Sequence, residues 1–141
     1  MKTKIYLAGG FKGGWHDEVI SKLGNDFIYF NPQKHDLNDV EKYTSWDLYH
    51  VEKCDILLGY MSKDNPSGYG LALEIGYAKA MNKLIILVDE RSNADDVFKR
   101  YFSICQESSN VSFETYLFVI TGGGVSIFGG ELFTKTPFFL R

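Results

Sequence analysis

The chain has 141 residues, 45% of them hydrophobic and 23% charged, which is enough for one packed core and excludes a disordered or fibrous protein. Its formal charge of −3 is mild and its signs are interspersed, which argues against a nucleic-acid surface or a polybasic membrane patch and leaves a small molecule as the expected partner. Cys54 and Cys105 stand far apart and fit neither a disulfide scaffold nor the clustered spacing of a zinc site, so a reducing compartment and no metal or organic cofactor are expected.

Met1 leads straight into a strand-like segment without the apolar stretch of a secretion signal. No run approaches the roughly 20 apolar residues a membrane span requires, so a cytoplasmic protein is expected. Residues 4–8 (KIYLA) read as a buried strand closed by Gly9 and Gly10. Residues 15–23 place Trp15, Val19, Ile20 and Leu23 at helical spacing before Gly24 and Asn25. Residues 27–31 (FIYFN) read as a second short strand ended by Pro32. Thr44 or Ser45 is then placed to cap a helix that carries Trp46, Leu48 and Val51 and ends at Cys54.

Residues 55–61 (DILLGYM) predict a third strand, followed by a loop over Ser62–Gly70. Residues 71–82 predict a helix apolar on most faces, and residues 84–88 (LIILV) a strand suited to the centre of a parallel sheet. Such alternation implies right-handed crossovers and an α/β fold: a doubly wound, flavodoxin-like or Rossmann-like open parallel sheet of about five strands with helices on both faces. Ligands of such sheets bind beyond the carboxyl ends of the strands, here Gly9–Gly14, Asn31–Lys34, Ser62–Gly70 and Asp89–Asn93.

Further on, residues 94–107 predict another helix and Val111–Glu114 the opening of a fifth strand. This places one α/β domain over residues 1–115. Residues 116–141 form an atypical glycine-rich, apolar C-terminal segment of it, compatible with a hairpin (116–121 and 125–128), a partner-binding tail or a loose end.

The strongest local signal for chemistry is SGYGLALEIGYAKA at 67–80, where a glycine-rich loop enters a helix and Glu74 is a lone carboxylate on an apolar stretch. In the first turn of a helix its charge would be stabilised by unpaired N–H groups, keeping it ionised. Position alone equally suits a solvent-facing residue that only complements the helix dipole. The turn Gly9–Gly14 (GGFKGG) can offer backbone N–H groups to a phosphate or a ribose hydroxyl, although its spacing matches neither the dinucleotide nor the P-loop pattern. His16, His35 and His50 are scattered without metal spacing and receive no role.

Three segments in order resemble the nucleoside 2-deoxyribosyltransferases and their nucleotide N-glycosidase relatives, over about residues 3–90. They are KIYLAG at 4–9, WDLYHVEKCDILLGYM at 46–61 and GYGLALEIGYAKAMNKLIILV at 68–88. The resemblance implies that Glu74, before Gly-Tyr-Ala, is the nucleophile, that Tyr6 lies next to it, and that Asp47, followed by Leu48, reaches the nucleobase. It implies substrate contacts at Gly9, Gly10, Phe11, Ser67, Gly68 and Gly70, a nucleoside or nucleotide substrate, and a homo-oligomer. The chain departs from the family at its C-terminus, where similar members usually finish with a fifth strand and an amphipathic helix and this chain has the glycine-rich, apolar 116–141, and in two places near the nucleophile. Many transferases carry an aspartate six residues before the nucleophile, where this chain has Gly68; and Pro66–Ser67 is offset by one residue from the pair that nucleotide hydrolases use for the 5′-phosphate.

Overall fold

The computed structural model describes residues 1–91 and the backbone of 107–109. Within it, β1 (Lys4–Gly9), α1 (Trp15–Leu23), β2 (Ile28–Phe30), α2 (Val40–Lys53), β3 (Ile56–Met61), α3 (Tyr69–Ala80), β4 (Leu84–Asp89) and β5 (Glu107–Ser109) follow in order. The strands pair in the order β2-β1-β3-β4-β5, every pair parallel. This is the expected doubly wound α/β sheet.

Alternation along the strands sorts the core into two layers. Ile5 and Leu7 of β1 pack with Trp15 and Val19 of α1 on one face. Tyr6 and Ala8 pack on the other with Val51 of α2 and with Leu71, Ile75 and Ala78 of α3. The central strands have no solvated face, which is why β4 reads as an uninterrupted apolar run. Because β1→α1→β2 winds one way and β2→α2→β3 the other, the switch point falls between β1 and β3, where the crevice of such a sheet opens.

Two helix starts differ from the expectation. Helix α2 begins at Val40, and its cap is Asp39, whose side chain accepts from the Lys42 N–H at 3.0 Å, rather than Thr44 or Ser45. Its first turn is solvated, with Val40 exposed, so the apolar pattern that marks a helix in sequence begins a turn later than the helix does. Helix α3 begins at Tyr69, with Gly68 as its cap at φ +70°, which shortens the preceding loop to Ser62–Gly68. Of the predicted helix 94–107, residues 94–106 lie outside the described residues and Glu107 is in a strand. The fifth strand stands at Glu107–Ser109, ahead of the expected position. Val111–Glu114, Cys105 and the segment 116–141 lie outside the described residues.

Candidate active site

Three residues distant in sequence meet on the α2/α3 face of the sheet. Tyr6 points from β1 into this layer, and its hydroxyl donates to Glu74 Oε1 at 2.8 Å in a fully buried contact. Asp47, in the middle of α2, interacts with the same hydroxyl. The structure thus brings Tyr6, Glu74 and Asp47 together.

The electrostatics differ from the sequence expectation in one respect. With the helix starting at Tyr69, Glu74 belongs to its second turn, beyond the reach of the first-turn N–H groups whose field falls off quickly. Its side chain is 8% exposed. Burial therefore dominates, raising its pKa to about 8, with the Asp47 charge acting in the same direction and the Tyr6 hydrogen bond opposing both. The Glu74 carboxyl thus holds its proton more tightly than a free glutamate, and the helix field does not offset that. Burial likewise raises the Asp47 pKa against the pull of Tyr6, His35 and His50. The Tyr6 phenol is pushed far above its ordinary value, by burial first and by the two carboxylates second, so it stays a donor throughout.

The two glycine-rich loops form one rim. Asn65 Oδ1 accepts from the Ser67 and Gly68 N–H groups, both at 3.1 Å, and so shapes the entry to α3. A Cβ on Gly10 would come within 3.1 Å of Asn65 Nδ2, which puts the β1–α1 turn directly against this loop. Gly9 has φ +149°, and a Cβ there would lie 2.5 Å from the Tyr60 carbonyl oxygen, so β1 can leave the sheet at this point only as glycine. Trp15 Nε1 donates to the Gly10 carbonyl at 2.8 Å and fixes the turn from below. Phe11 projects from it, 56% exposed. Gly70 stands one turn before Glu74 on the same helix face, and among the described residues no atom lies within 4 Å of where its Cβ would be; Ser67 is exposed beside it.

Sequence reasoning missed Asn65 as the organiser of the rim, and two histidines. His50 lies three residues after Asp47, a spacing that could have revealed it. Its Nδ1 donates to the Trp46 carbonyl at 2.7 Å, and its ring stacks on Trp46 at 3.7 Å. His35 comes from the segment after β2, and no local signal announces it. Its Nε2 is 3.9 Å from Asp47 Oδ1. An open groove of about 630 Å³ runs between Leu37, Trp46 and His50 along α2, and Glu74 does not line it. Cys54 is buried and donates to the Val51 carbonyl, in keeping with its reading as a small hydrophobe. Among the described residues no group of three or more His, Cys, Asp or Glu side chains is arranged to hold a metal ion, and no helix is long and apolar enough to cross a membrane.

Comparison with known proteins adds an independent line. Residues 2–92 match the family described as "Nucleoside 2-deoxyribosyltransferase like". A solved 2-desoxiribosyltransferase from Leishmania mexicana is similar with a TM-score of 0.53 and 22% identity, over 62% of this chain and 64% of that one, less than two thirds of its length. A CMP N-glycosidase from Clostridium botulinum is similar with a TM-score of 0.62 and 20% identity, over 84% of this chain and 97% of that one. At these identities the likeness to the solved structures is one of fold. A comparison with curated protein sequences finds no match.

Proposed function

Because the chain belongs to the nucleoside 2-deoxyribosyltransferase-like family, we propose that it is an enzyme that cleaves the N-glycosidic bond of a (deoxy)nucleoside and transfers the deoxyribosyl group to a second base. The observation that carries this reading is the buried hydrogen bond from Tyr6 to Glu74 with Asp47 facing the same hydroxyl. In its ionised form, its proton released to solvent, Glu74 attacks C1′ through an oxocarbenium-like transition state as the bond to the base breaks, and forms a glycosyl ester, as retaining glycosidases do. The Tyr6 hydroxyl orients the carboxylate and stabilises it once ionised. Asp47, whose pKa is raised by burial, is suited to hydrogen-bond the base and deliver a proton to its ring nitrogen as the bond to C1′ breaks. A second base then attacks the ester, and Asp47 takes up the proton that base releases.

The rim supplies the substrate contacts on this reading: Gly9 and Gly10 allow the backbone close to the sugar, and Phe11 covers it. One observation favours a second reading, hydrolysis of a nucleoside 5′-monophosphate. Among the described residues the amino end of α3 at Gly68 has no side-chain hydrogen-bond cap and nothing packs against Gly70, an arrangement suited to a 5′-phosphate with Ser67 beside it. Water would then resolve the ester.

A chromatographic assay of purified protein against deoxynucleosides and deoxynucleotides, each with and without a second free base, tests both. Glu74→Ala is expected to lose at least about a thousand-fold in turnover while remaining folded. Base exchange supports the transferase and release without acceptor the hydrolase. Nucleotide binding that survives Glu74→Ala with no turnover in either protein would instead indicate a sensor.

A further inference from the structure

We propose that His35 is the positioning residue for Asp47, holding its carboxylate after the proton has gone to the departing base. The inference rests on the role given to Asp47 above. The first support is the tautomer. The Leu37 backbone N–H donates to His35 Nδ1 at 3.0 Å; a ring nitrogen that accepts carries no proton, so in the neutral imidazole the proton is on Nε2. The second is where that proton faces. Nε2 lies 3.9 Å from Asp47 Oδ1, with the two side chains 10% and 18% exposed. That oxygen is buried and has no hydrogen-bond partner among the described residues, the Tyr6 hydroxyl proton being given to Glu74, and unmet buried acceptors are uncommon enough to call for a reason.

The third support is that the imidazole is held in place. It lies parallel to the Tyr43 ring at 6.4 Å between centroids and meets the Trp46 ring edge-on at 5.0 Å. Tyr43, Trp46 and Asp47 occupy one face of α2, so a single helix presents the carboxyl and the clamp for the ring that faces it. His50 is not an equivalent donor, because the one N–H of its neutral ring is at Nδ1 and goes to the Trp46 carbonyl, leaving Nε2 an acceptor.

A separation of 3.9 Å is too long for a hydrogen bond, and closing it takes a shift of about 1 Å. The chemistry supplies the incentive. When the bond from C1′ to the base breaks, its electron pair goes to the base nitrogen, which takes the Asp47 proton. The new carboxylate then accepts from His35 Nε2–H in a charge-assisted hydrogen bond, leaving the other oxygen toward the base. His35 keeps its proton, and Asp47 is reprotonated by the incoming base or water.

Two substitutions separate this role from a structural one. His35→Asn retains an acceptor for the Leu37 N–H and removes the Nε2 donor; His35→Gln places an amide N–H near the Nε2 position and gives up the loop bond. The expected result is a fall in kcat for base release of about 10- to 100-fold in His35→Asn, with KM little changed. His35→Gln recovers most of that loss while being no more stable than His35→Asn. Activity that follows thermal stability across the two variants would overturn the proposal. Imidazole 15N spectra of the full chain give a readout independent of turnover. The proposal requires an Nε2–H tautomer whose Nε2 resonance shifts as Asp47 is ionised by raising the pH, a shift absent in Asp47→Ala; an Nδ1–H tautomer, or the same pH response in both proteins, contradicts it. If the wild-type protein turns over no nucleoside, the functional reading fails and the spectra alone decide whether His35 and Asp47 are paired.

Discussion

Glu74 shows how burial and a single hydrogen bond compete for one carboxyl. Burial raises its pKa to about 8 and Tyr6 restrains the rise, so removing the phenol hydroxyl should raise it further. Tyr6→Phe is accordingly expected to move the acidic limb of the kcat/KM profile to higher pH and to lower kcat, and a pH–rate series on the two proteins measures both. The same group ties stability to pH. In the folded state Glu74 binds its proton up to about pH 8, whereas the unfolded chain releases it near 4.5. The folded state holds the extra proton between those values, so this contribution to stability falls as pH rises through the window. His16 acts oppositely in part of it, because burial lowers its folded pKa to about 4 from 6.5. The unobscured window for Glu74 is therefore about pH 6.5 to 8. Denaturant midpoints of the wild type should decline across it, and those of Glu74→Gln should decline less, with a difference in slope of up to about 1.4 kcal/mol per pH unit. Equal slopes would mean that Glu74 is ionised in the folded protein.

Single elements account for what the sequence disclosed and what it concealed. Strands β1, β3 and β4 were legible because continuous apolar runs end in glycine or polar residues, and α1 because Trp15 and Val19 repeat at helical spacing. The starts of α2 and α3 were not, because the first turn of α2 is solvated and Gly68 opens α3 without a polar cap. That displacement moves Glu74 out of the first turn, where burial and not the helix field governs its carboxyl. Glu74 stands out in sequence as a lone carboxylate on an apolar helix, whereas Tyr6 and Asp47 are picked out only by motif resemblance. His35 was missed because its contact with α2 depends on folding and not on spacing. At the rim, Gly9 joins strand and turn under a tight constraint: Gly9→Ala meets the Tyr60 carbonyl oxygen at 2.5 Å in a positive-φ conformation. It should cost more than about 1 kcal/mol of stability, read as a lowered urea midpoint. An unchanged midpoint would show that β1 and β3 separate there easily.

For the whole molecule, the order β2-β1-β3-β4-β5 places the switch point beside the strand that carries Tyr6, and puts α2 and α3 on the face into which Tyr6 points. The topology alone therefore gathers three distant residues into one buried cluster, a consequence of doubly wound sheets that strand and helix alternation made legible from the outset. The proposed chemistry requires that Glu74 form a covalent ester with C1′. The most direct measurement is mass spectrometry of the protein after long incubation with a 2′-fluoroarabinosyl nucleoside or its 5′-monophosphate, in which the fluorine slows breakdown of the ester, followed by peptide mapping. A glycosyl adduct on the peptide containing Glu74, absent in Glu74→Gln, is the expected result. Base release with no adduct, or an adduct mapped to another residue, would contradict it.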